Sequence, residues 1–143
     1  MLKAHFYNGI NPYFKTDELL VQGQLVTYDT AKEGFIKAAE AGDLVAGVVA
    51  QDVVEFRDDS FKLTSVTHKA YKSIDHVGFY YDGGIFSTDQ YTGTVTVGAL
   101  LYAGANGQMT TTVPATGDTT PVARAEKAAN KANNDVLKYT LLI

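Results

Sequence analysis

A glycine-led phrase is written twice in this chain, about 75 positions apart. The first copy, GQLVTYDTAKEGFIKAA, runs from Gly23 to Ala39, and the second, GALLYAGANGQMTTT, from Gly98 to Thr112. Each opens on glycine, sets an aliphatic pair behind it, crosses a turn that contains glycine and leaves on an extended segment. Each is then followed by Gly-Asp and a small, apolar run, GDLVAGVVA at Gly42 and GDTTPVARA at Gly117. Glycine alone enters φ > 0 freely, so Gly23 and Gly98 mark tight turns or bulges at strand entries. Asn106-Gly107 reads as a hairpin turn, and LVTYDTAKEGFIK as the same hairpin with a longer tip. TAKEGFIKAAEAGD also has helical composition, but Gly34 and Gly42 interrupt it, and its counterpart NGQMTTTVPATGD suits no helix. Two hairpin-plus-strand units predict a closed or half-closed barrel with approximate twofold order.

The remaining segments agree with sheet. In MLKAHFY, Leu2, Ala4 and Phe6 alternate with Lys3, His5 and Tyr7, a period of two that suits an extended segment with one covered face. Asn8-Gly9 and Asn11-Pro12 punctuate it, and residues 1–14 read as a first strand or an extended N-terminal arm. LVAGVVAQDVVEF, from Leu44, is apolar enough to be covered on both faces over part of its length. RDDS is a turn, and FKLTSVTHKAYKS, which alternates from Phe61 to Val66, predicts a weaker strand. HVGFYYDGGIFSTDQY predicts an aromatic hairpin about Asp82-Gly83-Gly84. ANKANND is a loop or a short helix. The closing VLKYTLLI sets Leu137, Tyr139, Leu141 and Ile143 on one face, as expected of a strand docked into a sheet. The predicted class is all-β, a small β-barrel or sandwich, with residues 15–143 forming a single β domain.

Composition narrows the function. A chain of 143 residues can bury a real core without staples, and it holds no cysteine, which removes disulfides, thiolate zinc sites and cysteine nucleophiles. A net charge of −4 is the wrong sign for a nucleic-acid binder that works through a broad basic surface. No apolar run approaches the ~18 residues of a membrane span, and the N-terminal stretch lacks the apolar core of a secretory signal. A soluble, intracellularly made protein is expected, with neither nucleic acid nor membrane as partner.

Chemistry is hard to assemble from these residues. His68 and His76 stand eight apart with no HxH or HExxH spacing, and His5 is remote, so no metal site is expected. Asp58-Asp59 and Asp52 with Glu55 are carboxylate pairs of polar turns, and no Asp-x-Asp-x-Asp-Gly loop appears for calcium. None of the four serines sits in Gly-x-Ser-x-Gly, and GANG lacks the lysine and hydroxyl of a phosphate loop. The expectation is no catalytic residue, no cofactor and no enzyme. Phe79, Tyr80, Tyr81, Phe86 and Tyr91 crowd one region; a covered face of such aromatics is core, and an exposed one is a contact surface.

The second copy also carries a resemblance. VTVGALLYAGANGQMTT, GDTTPVARAEKA and DVLKYTLLI resemble the C-terminal half of capsid decoration (cement) proteins of tailed bacteriophages. GQLVTYDTAKEGFIKAAEAGDLVAGVVAQD is similar to a signature of related cement and minor virion proteins. The resemblance spans Val21 to Asp52 and Gly93 to Ile143, and Val53 to Thr92 departs from it. It implies a virion structural protein, made in the host cytoplasm, that binds the outer surface of an assembled capsid. The implied partners are the major capsid protein and further copies of the chain, a trimer being favoured. Candidate contacts are Leu2, Ala4, Phe6 and Tyr7 of the N-terminal segment, with Tyr80 and Tyr91. The alternatives are a tail or head–tail connector protein and a carbohydrate-binding β-module suggested by the aromatics.

Overall fold

The computed structural model describes residues 1–56 and 69–143. The RDDS turn with Asp58-Asp59, His68 and residues 61–68 of the weaker strand expected over FKLTSVTHKAYKS lie outside the described residues. The strands are β1 (Leu2–Phe14), β2 (Leu25–Tyr28), β3 (Ile36–Ala38), β4 (Val45–Val49), β5 (Val53–Val54), β6 (Ala70–Tyr71) and β7 (Val77–Thr88). They continue as β8 (Thr94–Val95), β9 (Leu100–Ala103), β10 (Met109–Thr110), β11 (Ala123–Ala125), β12 (Ala129–Asn130) and β13 (Leu137–Leu141). The class is all-β, as the period-two stretches and glycine turns predict. ANKANND becomes β12 and a single 3-10 turn, Lys131–Asn133, stopped by Asn134 in the left-handed region.

The doubled phrase is a doubled structure. β2 and β3 form a hairpin and β4 returns to the other side of β2; β9, β10 and β11 repeat the arrangement. The registers correspond pair by pair. Leu25↔Val48 and Val26↔Gly47 match Leu100↔Arg124 and Leu101↔Ala123, and Tyr28↔Ile36 matches Ala103↔Met109. The punctuating hydrogen bonds match too. Gly23 N donates to Val49 O at 3.0 Å, and Gly98 N to Ala125 O at 2.8 Å. Both leading glycines have positive φ, +98° and +79°.

Each copy curls into a barrel of its own instead of the two sharing one. A three-strand unit leaves two open edges, and neighbouring strands close both. In the first copy β4 meets the start of β7 through Val49↔Phe79, and Ile36 N on β3 donates to Lys15 O, just past β1, at 2.9 Å. In the second, β11 meets β13 through Ala125↔Tyr139, and Met109 N on β10 donates to Gln90 O, just past β7, at 3.0 Å. Phe14↔Val77 joins β1 to β7 as Thr88↔Leu137 joins β7 to β13. The five-strand circuits are β1-β7-β4-β2-β3 and β7-β13-β11-β9-β10. β7 serves both, its first half in one barrel and its second half in the other.

Each circuit encloses its own apolar interior. Leu20, Val26, Ile36, Val49, Val53, Val77 and Phe79 fill the first, with Phe14 packed against them. Phe86, Tyr91, Val95, Leu101, Met109, Leu137 and Tyr139 fill the second, whose cluster extends to Leu25, Val45 and Val48 on β2 and β4. Those three point away from the first interior, so the barrels are packed wall to wall. Gly42 and Gly117, the matching glycines of the two copies, meet where the copies touch. Both have positive φ, a Cβ on either would overlap the other copy's backbone, and Asp118 N donates to Gly42 O at 2.8 Å.

The aromatic hairpin is not formed. Asp82, Gly83 and Gly84 do have positive φ, 62°, 82° and 121°, but they make a bulge inside the continuous strand β7. Between Tyr7↔Gly84 and Gly9↔Tyr81, Asn8 on β1 stands opposite two residues of β7. The local turn chemistry was read correctly; its flanks pair with β1 rather than with each other, so the chain kinks without reversing. Asn8 Nδ2 donates to Asp82 O at 2.6 Å and Gly83 N to Ile143 O at 2.8 Å, which secures the bulge.

Candidate contact surface

Residues 1–14 form β1, paired with β7 along nearly its whole length. The end of the strand is tied down as well. The N-terminal ammonium donates to Asp89 Oδ1 at 2.8 Å, Leu2 N to Gln22 Oε1 at 3.2 Å, and Thr88 Oγ1 to Met1 O at 3.0 Å. Burial presses the Asp89 carboxyl upward, but the hydrogen bonds from the ammonium and from Gln90 outweigh it, leaving the pKa below the usual carboxylate value.

Alternation places the candidate residues on two faces. Leu2 and Ala4 turn inward and pack, half-buried, against the second interior. The register then slips, from Ala4↔Phe86 to Phe6↔Ile85, with His5 as the extra residue. The slip sends Phe6 outward, 57% exposed, next to a half-exposed Tyr7. Tyr7 leans on Tyr80 with ring centroids 5.0 Å apart, Tyr80 on Phe86 at 4.9 Å, and Phe86 on Tyr139 at 5.7 Å. This ladder of rings runs from solvent into the core, and offset or tilted pairs at such spacings are favourable. Burial, and then the neighbouring Tyr7, raise the Tyr80 phenol above its usual pKa.

Tyr91 leaves the contact set. It is wholly buried in the second barrel, and its hydroxyl donates to Asp135 O at 2.7 Å. The closing segment after β7 must turn one side chain into the barrel, and Tyr91 fills that position. Ile10 and Tyr13 on β1, exposed and missed by sequence reading, join the surface, as does Tyr81 of the aromatic group, whose ring lies over Gly9. Pro12 next to a Tyr13 that is 78% exposed was the available signal, since proline within a sheet marks an edge strand.

Among the described residues no group of three histidine, aspartate or glutamate side chains is placed to hold a metal ion. Asp52 accepts from Gln22 N at 2.8 Å, and Glu55 pairs with Lys72 at 2.8 Å. His5 Nε2 lies 2.7 Å from Ser87 Oγ on the outward face of β7. What the surface offers is an aromatic and apolar strip along β1.

No protein-family model matches the sequence, and no curated protein does. Among solved structures, the fold is similar to the crystal structure of the head fiber gp8.5 N base in bacteriophage phi29. The superposition covers 99% of this chain and 94% of that one, with a TM-score of 0.52 and 14% identity.

Proposed function

We propose that this chain is a structural protein of a phage virion that binds the outer surface of the assembled head and cements or decorates it. The observation that carries the reading is the likeness of fold, over the whole chain, to the base of a phage head fiber. The resemblance of both glycine-led phrases to capsid cement proteins is independent of it and points the same way. The role proposed is mechanical rather than catalytic. Its partner is the major capsid protein, met through the exposed part of β1 around Phe6 and Tyr7 with Tyr80 behind them. Several weak contacts per oligomer, a trimer in the favoured form, would sum to firm attachment through their effective concentration.

Quantitative mass spectrometry of purified virions of the parent phage tests the reading. A copy number in simple ratio to the major capsid subunits is expected. A handful of copies per particle would move the protein to the tail or connector, and absence from virions would overturn the role.

A further inference from the structure

The chain is acidic overall, yet one face of its sheet is basic. Lys3, Ser87 and Lys138 form a row across β1, β7 and β13, through the pairs Lys3↔Ser87 and Lys138↔Ser87. The next row is Phe6, Ile85, Thr140, Arg124 and Leu100, across five strands. Leu2, Ala4, Phe86, Tyr139, Ala123 and Ala125 alternate with these residues and point into the second barrel, so both rows face outward. His5 joins them through Ser87, and its imidazole is held below its usual pKa, first by partial desolvation and then by the charges of Lys138, Lys3 and Lys127. Lys3, Arg124 and Lys127 are exposed and Lys138 half-exposed. Among the described residues the ion pairs lie elsewhere, on the N-terminal ammonium, Lys32 and Lys72. Of the nearby carboxylates, Glu126 accepts from the Thr140 hydroxyl, Asp89 is occupied by the N-terminal ammonium, and Asp82 sits at the bulge.

Among the described residues, four cations on this face stand against the single carboxylate of Glu126 and repel one another, and a fold has no reason of its own to gather them. The rows also mix the residue types that anchor protein interfaces, an arginine and an exposed phenylalanine with Leu100 at the far rim. We infer that this outward face of β1, β7, β13, β11 and β9 docks on an acidic patch of the protein shell, Lys3, Lys138 and Arg124 meeting carboxylates around an apolar contact made by Phe6. The inference rests on the virion role proposed above and assigns that role a face and a partner chemistry. Opposite charge steers the encounter and fixes the orientation, and Phe6 gains contact as water leaves.

The test is co-sedimentation of the purified full chain with heads of the parent phage that lack it. The variants are K3E/R124E, K3Q/R124Q and, on β3 of the other barrel, K37E, each first matched to the wild type in melting temperature. The expected result is a loss of affinity of ~10-fold or more for the double reversal, a smaller loss for the neutral pair and none for K37E. Wild-type binding should also weaken steeply as salt shortens the screening length. Equal binding by wild type and K3E/R124E overturns the inference and leaves the virion role standing. Failure of the wild type to bind heads overturns that role and the inference with it. A double reversal that loses linear double-stranded DNA but still binds heads assigns the face to nucleic acid and likewise overturns the inference.

Discussion

The two barrels agree in backbone down to single hydrogen bonds and differ in almost everything they enclose. Leu20 stands where the second barrel has Val95, Val26 where it has Leu101, Ile36 where it has Met109, Val49 where it has Ala125, and Phe79 where it has Tyr139. Buried Thr16, beside the closing residue Lys15, answers to buried Tyr91, beside Gln90. Volume lost at one position is regained at another, Ala125 for Val49 against Tyr91 for Thr16. A core accepts such exchange when total volume and pattern are kept. The positive-φ glycines exchange less freely, because the conformation strains most side chains. The comparison separates what defines this architecture, its turns and closing bonds, from what merely fills it.

Removing residues 1–14 is the most severe way to break the parallel. The first barrel loses a wall and Phe14 from its interior, whereas the second loses only flanking strand and the partial cover of Leu2 and Ala4. The expected outcome is loss of cooperative folding, seen as a missing unfolding transition by circular dichroism. A truncated chain that melts like the parent would mean that β1 contributes nothing to the first barrel.

Next in size is the contact between the copies. Gly42→Val sets a β-branched residue at φ +88° against the backbone of Thr116 and should cost more than about 3 kcal/mol in chemical denaturation. Gly98→Ala, at φ +79° with nothing within 4 Å of the new methyl, should cost only about 1 kcal/mol. Equal costs would show that the meeting of Gly42 and Gly117 is incidental.

These glycines were also the most legible part of the sequence. The all-β class, the repeat and the strand entries at Gly23 and Gly98 follow from local chemistry, which a linear reading can see. The bulge at Asp82-Gly83-Gly84 was not separable from a hairpin, since the same dihedral angles serve both and only the distant partner β1 decides. Barrel closure next to Lys15 and Gln90 rests on isolated bridges of two hydrogen bonds each, between segments that carry no motif. The fate of Tyr91 followed from that closure and was hidden with it. Of the candidate surface, the alternation of Leu2 and Ala4 against Lys3 was visible, but the slip at His5 that exposes Phe6 was not.

Acid should act where β1 lies against the second barrel. Asp89 has a depressed pKa, so it stabilises above the unfolded carboxylate value and this contribution is lost as pH falls through the folded one. His5 is depressed too and favours its neutral form when folded, so its contribution is lost as pH drops below the unfolded imidazole value of 6.5. Melting temperature should therefore fall on acidification, and more gently in Asp89→Asn below about pH 4. An unchanged slope in that variant would remove the terminal ammonium pair from the account.

The mildest probe exploits Tyr139 against Phe79. Both fill the same place in their barrels, but the Tyr139 hydroxyl is buried with no hydrogen-bond partner among the described residues, and burial pushes its pKa far upward. Tyr139→Phe makes the barrels alike there and should be neutral or stabilising by up to about 1 kcal/mol, because it deletes an unsatisfied group. A clear loss of stability would reveal a bound water on the hydroxyl.

A strand held in common by two barrels removes any seam at which the molecule could yield. Neither half can melt, or be pulled open, without stripping a wall from the other, so the protein should unfold in one step and resist load as a single body. Exchange of backbone amide hydrogens would then report one shared opening energy across β2, β9 and β13 instead of two. The cost falls on assembly, because β1 must wait for a partner some seventy residues downstream before the first interior can be sealed.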